Sequence, residues 1–258
     1  MADRTRVALD VNTFIGGYPY RHVPHPDPET LVRVLAREGI AHAWVGHLPS
    51  AFHRDPSAGN AELLRAVAPH GAVLSAAPIV RPDWPRWRAT LAELVALGVP
   101  AIRAYPQLWE FAPGDARLTQ LAEACAAQGV ALLLTVRFED LRQRHPLDAT
   151  PDLTPAHVRE LLRAGGGGRV IVTAAGREFI EEVHWGLTPR ERAHVYFDFS
   201  WVWGPPTDEL GQLFTTIGSG RFVYGTMWPL RLTQGARANL ALLPSSLAEA
   251  RLADMGRR

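Results

Sequence analysis

Asp10 and Asn12 stand two residues apart in an apolar run, as do Arg103 and Tyr105, Thr135 and Arg137, and Asp198 and Ser200. Side chains alternate along an extended chain, so each of these pairs shares one face of a strand. If those faces look into a common interior, carboxylates from the first and last parts of the chain meet guanidinium groups from the middle. A carboxylate or an imidazole can move a proton, and arginine grips a carboxylate or phosphate through two parallel hydrogen bonds. The chemistry this suggests is acid–base work on a small anionic, carboxylate-bearing substrate. Asp10, His47, His53 and Asp198 are the candidates for acid or base. Asn12, Arg103, Tyr105, Arg137, Trp201, Trp228 and Arg231 are the candidates for holding the substrate. The same arginine–carboxylate set could instead satisfy its own buried charges and merely tie the scaffold together.

These residues need a scaffold that aims them at one another. Short runs rich in Val, Ile, Leu and Phe alternate eight times with segments of helical period, the pattern of repeated β-α units around a parallel sheet. Strands are expected over 7–12, 43–47, 73–80, 101–105, 131–137, 170–173, 195–200 and 222–225. Helices are expected over 28–39, 60–70, 84–98, 118–129, 154–164, 178–186, 208–217 and 234–243. No composition break divides the 258 residues, and Gly165 to Gly168 falls at a helix-to-strand turn. The expectation is an α/β protein, a single (β/α)8 TIM barrel spanning 1–258, with a doubly wound sheet as the structural rival.

Barrels of this kind do their chemistry at the C-terminal ends of the strands. That rule sorts the histidines. His42, His70, His157, His184 and His194 fall on helices or at strand starts, whereas His22, His25, His47, His53 and His145 follow strands one, two and five. Trp84, Trp109, Trp201, Trp203 and Trp228 also follow strands, which suggests an aromatic wall.

Composition narrows the chemistry further. All 27 basic residues are arginine, so Schiff-base formation and a lysine base are excluded. Cys125 is the single cysteine, so neither an internal disulfide nor a thiolate metal cluster can form. With a formal net charge of +1 and no basic run interleaved with aromatics, no nucleic-acid partner is expected. No apolar stretch reaches the roughly 18 residues that would span a membrane, and Met1 to Arg6 lacks a signal-like apolar segment, so a cytoplasmic protein is expected. There is no lysine-bearing phosphate loop, no Gly-x-Ser-x-Gly elbow and no dinucleotide fingerprint.

Several runs resemble one family. Ala8-Leu9-Asp10-Val11-Asn12-Thr13-Phe14-Ile15-Gly16, the stretch from Gly98 to Pro106, the run ending at Arg137, and Tyr224 to Pro229 are similar, in order, to the amidohydrolase superfamily, in its amidohydrolase-related branch of metal-dependent hydrolases and decarboxylases. That resemblance implies a TIM barrel with one divalent metal, held in part by a His-x-His pair on strand one, and an aspartate on strand eight that moves the proton. Here the His-x-His positions read Asn12 and Phe14. Strand five offers Thr135 or Arg137, strand six offers Thr173 and Ala174, and Met227 stands in the aspartate's place. These types bind a divalent ion poorly or not at all, so no metal and no other cofactor is expected.

Three readings follow. One is a metal-independent hydrolase, lactonase or decarboxylase in which Arg103 and Arg137 stabilise anionic charge. Another is a catalytically inactive homologue that binds a small acid or a protein partner. The third is a relocated metal site built from His47, His53, Asp55 and Asp10. The resemblance also brings in a homodimer, an assembly such barrels often adopt.

Overall fold

The computed structural model describes residues 7–165, 168–247 and 250–256. Within these, eight strands alternate with helices: β1 (Asp10–Ile15), α1 (Pro28–Glu38), β2 (Ala43–His47), α2 (Ser57–Val67), β3 (Leu74–Ala76), α3 (Trp87–Ala96), β4 (Ala101–Ala104), α4 (Ala116–Ala127), β5 (Ala131–Thr135), α5 (Pro155–Arg163), β6 (Val170–Thr173), α6 (Arg177–Trp185), a turn of helix α7 (Pro189–Arg192), β7 (Val195–Asp198), α8 (Glu209–Leu213), β8 (Phe222–Val223) and α9 (Thr233–Ala241). The N-terminal stretch Met1 to Arg6, and residues 166 and 167 of the glycine turn, lie outside the described residues. No described helix is long and apolar enough to cross a membrane.

The strands form two parallel arcs, β1-β2-β3 and β4-β5-β6-β7-β8. Single parallel bridges join the arcs, Ile79 to Arg103 on one side and Thr13 to Trp228 on the other. Backbone bonds strengthen the second seam, with Val11 N–H donating to Tyr224, Met227 N–H to Asn12 and Phe14 N–H to Trp228. The result is the (β/α)8 TIM-barrel arrangement. One apolar cluster (Val11, Trp44, Ala101, Leu133, Ile171 and Val223 among its members) draws on strands all around the ring and on no helix, which places it inside. Met255, from the C-terminal segment, joins it.

Local signals set the helix ends. Asp27 accepts from the Thr30 N–H at 2.7 Å ahead of Pro28, and α1 stops at Gly39, whose φ of 67° is easy only without a side chain. Thr154 and His157 form a reciprocal cap at the start of α5. Strand one differs most from its expected span. It runs three residues later, to Ile15, because Thr13 is not a stop: its hydroxyl donates to the Trp44 carbonyl at 3.0 Å. The register also shifts between Asp10 and Thr13, where β1 departs from simple alternation.

Candidate functional site

The interior polar group is centred on Arg103, carried inward by β4. Its Nη1 donates to Asn12 Oδ1 at 3.1 Å, and Asn12 Nδ2 in turn donates to Asp198 Oδ2 at 2.8 Å. Asp198 also accepts from the Ala174 N–H at 2.9 Å and from the Ser200 hydroxyl at 3.1 Å. Asp10 accepts from the Thr226 hydroxyl at 2.6 Å and from the Asn12 N–H at 3.0 Å. Asp10, Asn12, Arg103, Tyr105 and Asp198 are all 0% exposed. Taking two carboxylates out of water strains their ionised forms: burial pushes Asp10 up to about 6 and raises Asp198, while hydrogen bonds from Thr226 and Ala174 partly offset it. Burial likewise lowers Arg103 and raises the Tyr105 phenol.

An aromatic cover closes this centre from the mouth on the β1-to-β5 side. Phe138 packs against Phe14, Tyr105, Phe52 and Tyr18 with centroids 5.3 to 6.2 Å apart. The loop after β1 is tied across it. Tyr18 donates its hydroxyl to Asp148, Arg21 pairs with Glu139 at 2.6 Å and reaches the Leu230 carbonyl, and Tyr20 stacks on His145.

The cavity lies to one side, over the ends of β5, β6 and β7. It holds about 810 Å³, with Arg137, Thr154, Gly176, Arg177, Trp201 and Trp203 in its lining. Arg137 pairs with Asp152 at 2.9 Å and sits 5.4 Å from the Trp201 ring. Arg231 adjoins the same wall, with its guanidinium carbon 4.5 Å from the Trp201 ring and 5.9 Å from Trp203. Among the described residues no carboxylate pairs with Arg231, and burial lowers it. The rim also carries carboxylates, but most are engaged: Glu181 with Arg177, Glu182 with Arg159, and Glu209 with the Trp203 N–H.

The candidates therefore fall into three groups. Asp10, Asn12, Arg103, Tyr105 and Asp198 come together in the sealed centre, and Arg137, Trp201 and Arg231 gather at the cavity. His47 and His53 reach the C-terminal face but line no part of the cavity. His47 is buried, with Nδ1 2.6 Å from the Ser50 hydroxyl, and burial lowers its pKa; His53 is exposed. Trp228 closes the β8–β1 seam, and Trp109 is buried beneath Arg81, so of the five tryptophans only Trp201 and Trp203 line the cavity. Arg21, Tyr18 and Asp152 went unsuspected in the sequence. The Tyr-Pro-Tyr-Arg run from Tyr18 to Arg21, directly after a strand, was the available signal.

The fit of a divalent ion can be judged from the donors present. Phe14 offers only carbon, the Met227 sulfur accepts the Trp201 indole N–H at 3.0 Å, and the Thr135 and Thr173 hydroxyls are 3.0 Å apart and bonded to each other. A guanidinium lies against Asn12. This set does not fit a divalent cation. Among the described residues no group of three or more His, Cys, Asp or Glu is placed to hold one elsewhere, and Asp55 accepts from the Ser57 N–H just ahead of α2.

No protein-family model matches the chain, and no curated protein matches it in sequence. Solved structures do match its fold. A probable 2-pyrone-4,6-dicarboxylic acid hydrolase from Acinetobacter baumannii, with citric acid bound, aligns at TM-score 0.60 and 12% identity over 93% of this chain and 96% of that one. A dihydroxybenzoic acid decarboxylase from Polaromonas sp. JS666, with bound manganese and the inhibitor 2-nitroresorcinol, aligns at 0.64 and 14% over 95% and 96%. An amidohydrolase from Mycobacterium avium subsp. paratuberculosis aligns at 0.62 and 17% over 91% and 75%. The chain thus shares its fold with amidohydrolase-superfamily TIM barrels, and identities this low speak to fold alone.

Proposed function

We propose that this amidohydrolase-like barrel is a hydrolase- or decarboxylase-type enzyme that takes a small carboxylate-bearing substrate at the C-terminal mouth and works without a divalent ion. The observation that carries this reading is Arg231, a half-buried guanidinium that pairs with no carboxylate among the described residues, set against Trp201 beside a cavity of about 810 Å³. A desolvated cation of that kind is a vacancy for an anion. Arg137, against the same ring, is a second guanidinium there, though paired with Asp152, and Trp201 and Trp203 give the apolar wall that a flat or short acid needs. Two of the similar structures are of proteins named for carboxylic acids, one of them holding citric acid.

In this reading Asp198 is the acid or base. Burial raises its pKa, and its charge acts on Arg231. Asn12 and Arg103 hold it in place. Because Asp198 is 0% exposed, side chains at the mouth must part before it meets a substrate. A second reading, a catalytically inactive binder of small acids, draws on that same burial.

A thermal-shift and calorimetric screen of short and aromatic mono-, di- and tricarboxylates against their neutral amides, on chelator-treated protein, tests the shared claim. Preference for acids over amides supports it, and equal response to both refutes it. Turnover of ring-opened or decarboxylated products from the acids that bind separates the enzyme from the inert binder.

A further inference from the structure

The centre of the barrel carries a cation of its own. Arg103 is wholly buried, with its guanidinium carbon 4.3 Å over the Phe14 ring, Nη1 bonded to Asn12 and Nη2 3.3 Å from the Thr13 carbonyl. Asn12 and Phe14 are the two positions where the resemblance would put a His-x-His pair. The guanidinium therefore lies against the two side chains that would face a metal.

The surrounding backbone leaves room for it. Gly46 on β2 lies opposite, and a Cβ there would come within 2.6 Å of Arg103 Nε. The charges also call for it: Asp10 and Asp198 are buried together, neither makes a direct ion pair among the described residues, and the Arg103 charge acts on both through space and on Asp198 through Asn12. A buried carboxylate pair with no cation nearby would be strongly disfavoured.

We infer that Arg103 is the resident cation of this barrel, taking the space a divalent ion would need and fixing the orientation of Asp198 through Asn12. A guanidinium only donates hydrogen bonds, so it must meet the carbonyl oxygen of the Asn12 amide. The NH2 end of that amide is then forced to face Asp198, which it reaches at 2.8 Å. A metal would bind the same oxygen but would also demand further donors, which Phe14 cannot give. Arg103 is thus a positioning residue that acts through Asn12, whatever ligand the neighbouring cavity takes.

The test uses the full chain. In the wild-type protein, nitrogen-15 NMR should show one guanidinium with slowly exchanging, separately resolved Nη protons, unmoved by one equivalent of zinc or manganese. Arg103→Gly leaves a hole of propylguanidinium shape, most of which ethylguanidinium fills. It should lower Tm by roughly 10 °C, and millimolar ethylguanidinium, but neither metal ion, should restore part of the loss. The protected Asn12 side-chain amide signals should collapse in that variant and return with ethylguanidinium, which a general packing defect would not produce. Stoichiometric metal binding that shifts the wild-type guanidinium signals would overturn the inference. So would Arg103→Gly with unchanged Tm, or its rescue by metal as readily as by ethylguanidinium. If Arg103→Gly does not fold, the wild-type spectra and metal titration decide alone.

Discussion

Trp201 donates its indole N–H to the sulfur of Met227 at 3.0 Å, so the residue standing where the resemblance expects a proton-moving aspartate instead anchors the cavity's aromatic wall. This bond fixes the indole plane against which both Arg137 and Arg231 rest. Trp201→Ala removes that platform and is expected to weaken binding of a carboxylate ligand about tenfold, as a cation–π contact of ~1 kcal/mol and lost packing would give. Trp201→Phe keeps a ring while losing the N–H, and should retain most of the affinity. Calorimetric titration of both variants with the best acid from the screen checks this, and equal losses would count against the wall.

Arg231→Gln keeps length and hydrogen-bonding capacity and removes the charge. Among the described residues no carboxylate makes a direct ion pair with Arg231, so only its longer-range attraction to groups such as Asp198 is lost, and Tm should move by no more than about 2 °C. Carboxylate affinity should fall by roughly 10- to 100-fold, the cost of one charge-assisted contact. A large drop in Tm with unchanged affinity would make Arg231 a structural cation.

Stability should depend on pH through Asp10. Its pKa is raised by burial from 3.8 to about 6, so the folded state holds the proton more tightly than the unfolded chain does. Below about pH 4 both states are protonated and nothing is lost. As pH rises through the folded value, ionising the buried group costs stability, ~3 kcal/mol at most from the size of that rise. Asp198, also raised by burial, acts in the same direction. Surface carboxylates held low by neighbouring groups, such as Asp140 beside Arg142, change the total only at lower pH. The difference in Tm between Asp10→Asn and the wild type should therefore shift in the variant's favour between pH 4 and pH 6 and stay level above. A constant difference would mean that Asp10 titrates normally.

How far the sequence discloses the site depends on where alternation applies. Arg103 lies inside the β4 ladder, so two-residue spacing correctly turns it inward with Ala101. Arg137 obeys the same arithmetic on paper, but β5 ends at Thr135, and beyond the ladder the chain is free to turn, so its side chain goes to Asp152 and Trp201. Asp10, Asp198, Arg103 and Arg137, which alternation alone would bring together, thus divide between a sealed centre and an open cavity. His47 sits at the expected end of its strand, yet the position of a strand end does not reveal that Ser50 and Glu62 will enclose it. Eight strands were legible because buried strands are apolar throughout. The seams were not, because single bridges such as Thr13 to Trp228 join residues 215 positions apart and leave no local pattern. The cover over the centre has the same character, since Tyr18 and Asp148 meet across 130 positions.

Asp198→Asn separates an enzyme from an inert binder. Asp198 accepts from Asn12, Ala174 and Ser200, and an amide oxygen can keep the Ala174 bond while the Asn12 contact sets two NH2 groups face to face. That mismatch, together with the relief of a buried charge, makes a modest change in stability the expected outcome, on the order of 1–2 kcal/mol in either direction. Arg137 and Trp201 in the cavity wall, and Arg231 beside it, make no hydrogen bond to Asp198, so carboxylate binding should stay within about threefold of wild type. If Asp198 moves the proton, turnover falls by about 100-fold or more with KM nearly unchanged. Turnover kept at the wild-type level would remove Asp198 from the chemistry, and loss of binding together with turnover would show that the centre supports the cavity rather than acting on what it holds.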